Sequence, residues 1–226
     1  MLAKIIVVAN QKGGSGKTTI SMQLGGNLAR RGYKILVVDT DKQATATRWA
    51  TADEDKTFPC TVIGLSAADS RVHREVQKFV NDYDYIIIDC PPSADSKIPR
   101  SALLIADLAL TPIIPSPLDL WSAVGIREVI EDVRITNEEM VARLVINQCQ
   151  PNLSLTKNVM DILKDFGIPI LKTKLGQRTV YRQSAVYGSI VHDFGTKATS
   201  AINEVESLTD EVLSLFNISE QTRESI

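Results

Sequence analysis

Positions 11–19 read Gln-Lys-Gly-Gly-Ser-Gly-Lys-Thr-Thr, between an apolar run, Ile5–Ala9, and a segment of helical periodicity that opens at Lys17. A phosphate-binding loop must sit in this strand–loop–helix order. It is also the first of a series, because apolar runs alternate with amphipathic segments along the whole chain. That alternation predicts an α/β fold: one mostly parallel twisted sheet with helices on both faces. Gly13, Gly14 and Gly16 let the loop curl tightly with no Cβ between its amides and an anion. Lys17 can reach β- and γ-phosphates, the Thr18 hydroxyl can ligate Mg²⁺, and the helix start adds free N–H groups and a favourable dipole.

The expected strands are Lys4–Ala9, Lys34–Asp39, Cys60–Gly64, Tyr85–Asp89, Leu108–Ile114, Arg143–Gln148 and Ile168–Lys172. The expected helices are Lys17–Arg31, Gln43–Thr51, Ser70–Asn81, Ile98–Ala106, Asp119–Ile135, Leu155–Phe166 and Lys197–Phe216. With 226 residues the chain can bury one core, so a single domain over 1–216 with a polar tail at 217–226 is expected. A net charge of -2 argues against general polyanion binding and leaves any nucleic-acid contact to a local basic patch. Cys60, Cys90 and Cys149 are scattered, without a C-x-x-C pair, and suit reduced cysteines. No apolar run approaches the ~20 residues that span a bilayer, and the chain enters a strand at once. A cytoplasmic protein without a membrane anchor is the expectation.

Three carboxylates stand at expected strand ends. Asp39 and Asp41 are two residues apart and point the same way if the strand continues, toward the crevice where open α/β sheets bind ligands. One could hold Mg²⁺ through water and the other could orient an attacking water. Asp89 closes Tyr85-Ile86-Ile87-Ile88 and is followed by Cys90-Pro91-Pro92. His73 and His192 have no nearby ligand set, and Trp49 and Trp121 fit a core role.

In the pattern G-x-x-x-x-G-K-S/T the first glycine falls on Gln11, and Lys12 follows it. A lysine that early cannot easily fold back onto its own γ-phosphate but can reach a nucleotide held by a facing subunit. The string K-G-G-x-G-K-T-T is the deviant Walker A motif, and the chain resembles the ParA/MinD family of dimeric ATPases. Its short length, without a helix-turn-helix before the first strand, is similar to the ParF-like plasmid-partition class, as is Pro115-Ser116-Pro117-Leu118-Asp119.

The resemblance implies ATP and Mg²⁺ held by Lys12, Gly13, Gly14, Ser15, Gly16, Lys17, Thr18 and Thr19. Asp41 becomes the water-positioning catalytic residue, Lys12 and Lys17 join it in catalysis, and Thr18, Asp39 and Asp89 form the magnesium shell. Lys42 stands where many members have proline, and Asn147 occupies the place of an adenine contact. The basic residues Lys172, Lys174, Arg178, Arg182 and Lys197 fit either a solvated face or a patch for nonspecific DNA. Arg178 and Arg182 lie one turn apart if 178–187 is helical. The implied function is DNA segregation by a nucleoid-associated dimer that forms on MgATP, binds nonspecific nucleoid DNA and hydrolyses when a ParB-like centromere-binding protein or other adaptor stimulates it. A positioning ATPase for a protein microcompartment or chemosensory cluster would share this chemistry. A MinD-like membrane regulator would need a basic amphipathic C-terminal helix, and the acidic, polar tail counts against it. A nitrogenase-iron-protein-like reductase would need interface cysteines that this chain does not match.

Overall fold

Among the described residues the apolar runs become seven strands in one sheet, ordered β3-β2-β4-β1-β5-β6-β7 with every pairing parallel. The computed structural model describes residues 2–92, 96–150, 163 and 166–223, with 117–123 and 218–223 described through their backbone only. The strands are β1 (Lys4–Val8), β2 (Ile35–Asp39), β3 (Thr61–Gly64), β4 (Tyr85–Asp89), β5 (Leu108–Ile113), β6 (Val141–Cys149) and β7 (Ile170–Gly176). The helices are α1 (Lys17–Arg30), α2 (Thr45–Ala50), α3 (Val72–Val76), α4 (Ile98–Leu103), α5 (Pro117–Arg134), α6 (Thr179–Val186) and α7 (Thr199–Arg223).

Period-two alternation explains the three layers. Ile5, Val7, Leu36, Val38, Ile86 and Ile88 face one side, where α3, α4 and α5 bring Val76, Ala102 and Ile130. Ile6, Val8, Val37 and Ile87 face the other, against Leu24 and Leu28 of α1, Trp49 of α2 and Leu208 and Val212 of α7. A side chain such as Ile87, wholly buried, contributes roughly 1.5–3 kcal/mol relative to exposure. Helix α1 approaches the sheet and its neighbours closely because it carries Gly25 and Gly26. A Cβ on Gly26 would lie 2.4 Å from Ile190 Cγ2.

Several boundaries differ from the sequence expectation. The expected helix Ser70–Asn81 is only α3, flanked by 3-10 turns at Ser66–Arg71 and Gln77–Phe79. Asp69, at φ 46 and ψ -122, interrupts the helical path there. Strand β7 starts after Pro169 and runs on to Gly176, drawn out by pairing with β6 as far as Cys149. Helix α7 begins at Thr199 and extends past Phe216 to Arg223. The expected helix Leu155–Phe166 lies almost wholly outside the described residues, as does the side chain of Trp121. Trp49 is core, 4% exposed.

Strand order sets the site. From β1 the chain winds toward β2 and β3, returns to β4 beside β1, then crosses to β5 on the opposite side. The crevice at this reversal lies outside the carboxyl ends of the central strands. Val8, Asp89 and Asp39 are register neighbours across β1, β4 and β2, so both acids emerge at that crevice.

Candidate functional site

The loop after β1 is tied down from several directions. Asn10 Nδ2 donates to the Pro112 carbonyl at 2.7 Å, and Asn10 Oδ1 accepts from the Lys12 amide at 3.0 Å. Lys17 Nζ donates to the Lys12 carbonyl at 3.0 Å and closes the loop on itself. Asn147 Nδ2 donates to the Ser15 carbonyl at 2.8 Å, and Gln148 Nε2 to the Gly14 carbonyl at 2.7 Å. With the Ser15 and Gly14 carbonyls engaged by β6 side chains, the loop amides are left to face an anion. Gly16 caps α1 at φ 93, and a Cβ there would lie 2.0 Å from Asn147 Nδ2, so only glycine fits. Burial lowers the Lys17 pKa, opposed chiefly by the nearby Asp89 carboxyl.

Below the loop, Thr18 Oγ1 donates to Asp89 Oδ2 at 2.7 Å, and Ser21 Oγ lies 3.2 Å from Asp89 Oδ1. Ser21 is one helical turn after Lys17 and Thr18 on the face of α1 that meets β4. Two features fit this pocket to a phosphate chain with a divalent cation. Ser15 Oγ is buried without a hydrogen-bond partner among the described residues. Asp89 is pushed up to about 7 by burial, against hydrogen bonds from Thr18 and Ser21. A cation beside Thr18 and Asp89 would return that carboxyl to its charged form. Among the described residues no group of three or more His, Cys, Asp or Glu side chains forms a metal site. Thr18 Oγ1 and the Asp89 carboxylate are side-chain oxygens that could hold a cation here.

Asp39 is fully buried and already engaged. Its Oδ1 accepts the Asp41 amide at 3.1 Å, while Oδ2 accepts the Thr47 amide at 2.9 Å and the Thr47 hydroxyl at 3.1 Å. Asp41 is half-buried and its Oδ1 accepts the Gln43 amide at 2.9 Å. Thr40 ties this loop to β4, with its amide and hydroxyl both donating to the Asp89 carbonyl at 3.1 and 2.6 Å. Asp41, Lys42 and Gln43 line a cavity of about 720 Å³ with Pro91, Pro92 and Lys97.

The structure thus gathers Lys12, Gly13, Gly14, Ser15, Gly16, Lys17, Thr18, Thr19, Asp39, Asp41, Asp89 and Asn147 around one crevice. Asn10, Ser21, Thr40, Thr47 and Gln148 also make bonds that shape the crevice, in roles the motifs do not assign. Only Ser21 carried a signal, its helical spacing from Lys17 and Thr18. Cys90 is buried beside Asp89, and burial holds its thiol well above the ordinary range.

The basic residues separate. Arg178 precedes α6 with extended backbone, so it does not share a helical face with Arg182. Its Nε and Nη2 donate to Glu204 Oε1 at 2.9 and 2.7 Å, and Tyr181 Oη donates to Glu204 Oε2 at 2.8 Å. Arg182 and Lys197 are exposed. No helix among the described residues is long and apolar enough to cross a membrane.

The family model for the CobQ/CobB/MinD/ParA nucleotide binding domain matches residues 6–191. The maintenance of carboxysome distribution protein A of Halothiobacillus neapolitanus is 34% identical over 211 residues, covering 92% of this chain and 95% of that protein. Protein ParA of Rhizobium radiobacter is 26% identical, covering 94% and 96%. The fold superposes on apo McdA of Cyanothece with a TM-score of 0.78 at 17% identity, covering 93% of this chain and 99% of the other. The septum site-determining protein MinD of Pyrococcus horikoshii, complexed with Mg-ADP, gives 0.73 at 23% identity, covering 96% and 99%. A glycine loop closed by its own lysine, a threonine bonded to a buried aspartate and a family match over most of the chain converge on one assignment: the chain belongs to the CobQ/CobB/MinD/ParA nucleotide-binding family.

Proposed function

We propose that this protein is a positioning ATPase that forms a nucleotide-sandwich dimer on MgATP and is reset when a partner protein stimulates hydrolysis. The observation that carries the reading is the loop at 11–19, with Lys17 closed onto the Lys12 carbonyl above the Thr18–Asp89 bond. The loop amides, Lys17 and Thr19 hold the phosphates, and Thr18 with Asp89 holds the cation. Held by Thr18 and Asp89, Mg²⁺ would supply charge neutralisation on the phosphate chain. Asp41 orients the attacking water. Lys12 reaches the phosphates of the facing subunit, so that hydrolysis belongs to the dimer.

Two cargoes compete. Likeness at 34% identity to a protein named for carboxysome distribution supports a protein assembly as cargo. Likeness to ParA at 26% and to the sporulation initiation inhibitor protein Soj of Bacillus subtilis at 25% keeps DNA partition as the second reading. In either case nonspecific DNA is the proposed track, with Arg182 and Lys197 as exposed contacts. Arg178 enters only if its pair with Glu204 opens. The ParF-like plasmid class of the sequence reading belongs to the second cargo reading.

Sedimentation with MgATP or MgADP, with and without nonspecific DNA, tests the proposal. A dimer with MgATP alone, and DNA association limited to that state, is the expected result. A monomer under every nucleotide condition overturns the sandwich dimer.

A further inference from the structure

We infer that Asp39 and Thr47 form a clamp that aims Asp41, so that Thr47 is a positioning residue for hydrolysis and Asp39 acts chiefly on protein groups rather than on the cation. This rests on the ATPase reading above. The family resemblance implies a place for Asp39 in the magnesium shell. In the structure its two oxygens are committed instead to the two ends of the segment that carries Asp41. Oδ1 takes the Asp41 amide, and Oδ2 takes both the amide and the hydroxyl of Thr47, with distances of 2.9–3.1 Å.

The intervening chain follows from that clamp. Asp41 accepts the Ala44 amide on its carbonyl at 3.0 Å and the Gln43 amide on its carboxylate at 2.9 Å. Ala44 sits at φ 53 and ψ 40, a left-handed conformation that a non-glycine residue keeps only where its surroundings over-determine it. Ala44 is also the N-cap of α2 and has no side chain to satisfy the amides of the first turn. Asp39 does that task from the end of β2, through the third helical residue, Thr47. Helix α2 is itself fixed, since Trp49 is buried and its Nε1 donates to the Ser189 carbonyl at 2.9 Å. The near end is fixed by β2 and by the Thr40 bonds to the Asp89 carbonyl. One buried carboxylate therefore spans a short loop between two rigid anchors, and Asp41 is the acidic side chain of that loop facing the cavity bounded by Pro91 and Pro92.

A metal-shell role and a clamp role for Asp39 differ in what Thr47 does. Thr47 makes no contribution to a cation, yet in the clamp its hydroxyl is one of two donors on Oδ2. Single-turnover ATP hydrolysis and fluorescent-ATP binding, each titrated with Mg²⁺, separate the roles for wild type, Thr47→Val, Thr47→Ser and Asp39→Asn. Thr47→Val should lower the hydrolysis rate tenfold or more while ATP affinity and the Mg²⁺ midpoint stay within twofold of wild type. Thr47→Ser, which keeps the hydroxyl, should restore the rate. Asp39→Asn, which sets an N–H₂ against either the Asp41 amide or the Thr47 donors and so breaks one end of the clamp, should reproduce Thr47→Val without moving the Mg²⁺ midpoint. Melting curves of the two Thr47 variants identify a variant that fails to fold, and Asp39→Asn then carries the test. An unchanged rate in Thr47→Val, or a Mg²⁺ midpoint displaced tenfold in Asp39→Asn, overturns the clamp. A wild-type protein that binds no ATP overturns the functional reading beneath it instead.

Discussion

Replacing Asn147 with alanine distinguishes a loop brace from a base contact. Its Nδ2 reaches the Ser15 carbonyl at 2.8 Å, and the residue is 5% exposed. The bond links β6 to the phosphate loop before any ligand arrives. Deleting the amide leaves a buried carbonyl without this donor and opens space above Gly16, whose absent Cβ would lie 2.0 Å from that nitrogen. An unsatisfied buried acceptor costs about 1–3 kcal/mol. For a chain of this size each kcal/mol lowers the melting midpoint by roughly 2–4 °C. Asn147→Ala should therefore melt a few degrees or more below wild type without nucleotide. Its affinities for ATP and for inorganic triphosphate should fall by the same factor, because the defect lies in the loop. Urea unfolding of the nucleotide-free protein and calorimetric titration with the two ligands supply the numbers. An unfolding free energy within about 0.5 kcal/mol of wild type, with a loss confined to ATP, refutes the brace and returns Asn147 to the adenine.

Four other outcomes are expected. Lys12→Ala should bind ATP yet lose dimer-dependent, partner-stimulated hydrolysis, and an unchanged stimulated rate removes the cross-subunit role. Asp41→Ala should accumulate the ATP dimer on gel filtration and lose about 10²–10⁴ in hydrolysis rate, the usual worth of a positioned acid or base. Gly26→Ala gains roughly 1 kcal/mol in helix propensity, but its Cβ falls 2.4 Å from Ile190 Cγ2. Overpacking of that kind costs about 1–3 kcal/mol, so urea unfolding should show no net gain, and a clear stabilisation contradicts the packing. Burial alone would raise the Glu206 carboxyl, but donors from Arg31, Asn27 and His192 hold it at about 2, below the ordinary 4.5. A depressed carboxylate contributes stability above 4.5 that is lost as pH falls toward 2. Glu206 is 36% exposed, so screening limits this to about 1 kcal/mol or less. Melting curves across that window should be flatter for Glu206→Gln, and an equal acid slope rejects the assignment.

Much of the architecture was legible because it rests on local pattern. The burial of Ile5–Val8 and Ile86–Ile88 on both faces follows from unbroken apolar runs, and the loop at 11–19 follows from glycine spacing. The two acids Asp39 and Asp89 could be placed at strand ends for the same reason, and they prove to be register neighbours. Helix α3 was overextended, since amphipathic spacing continues through residues whose backbone turns into 3-10 geometry. Helix α6 appeared in the sequence only as a conditional helix over 178–187. Eight residues hold too few turns for periodicity to decide it.

By itself the sequence determined the sheet, the phosphate loop and the chemical types at the crevice, since each depends on neighbours in the chain. The partners of those side chains were decided by tertiary structure. Asn147 meets Ser15 across 132 positions, Thr18 meets Asp89 across 71 and Arg178 meets Glu204 across 26. A side chain's role depends on which donors the fold brings to it, and spacing along the chain does not encode that. Hence the tertiary structure turned Asn147 toward the loop carbonyl, engaged Arg178 with an acid and gave both oxygens of Asp39 to the segment that aims Asp41.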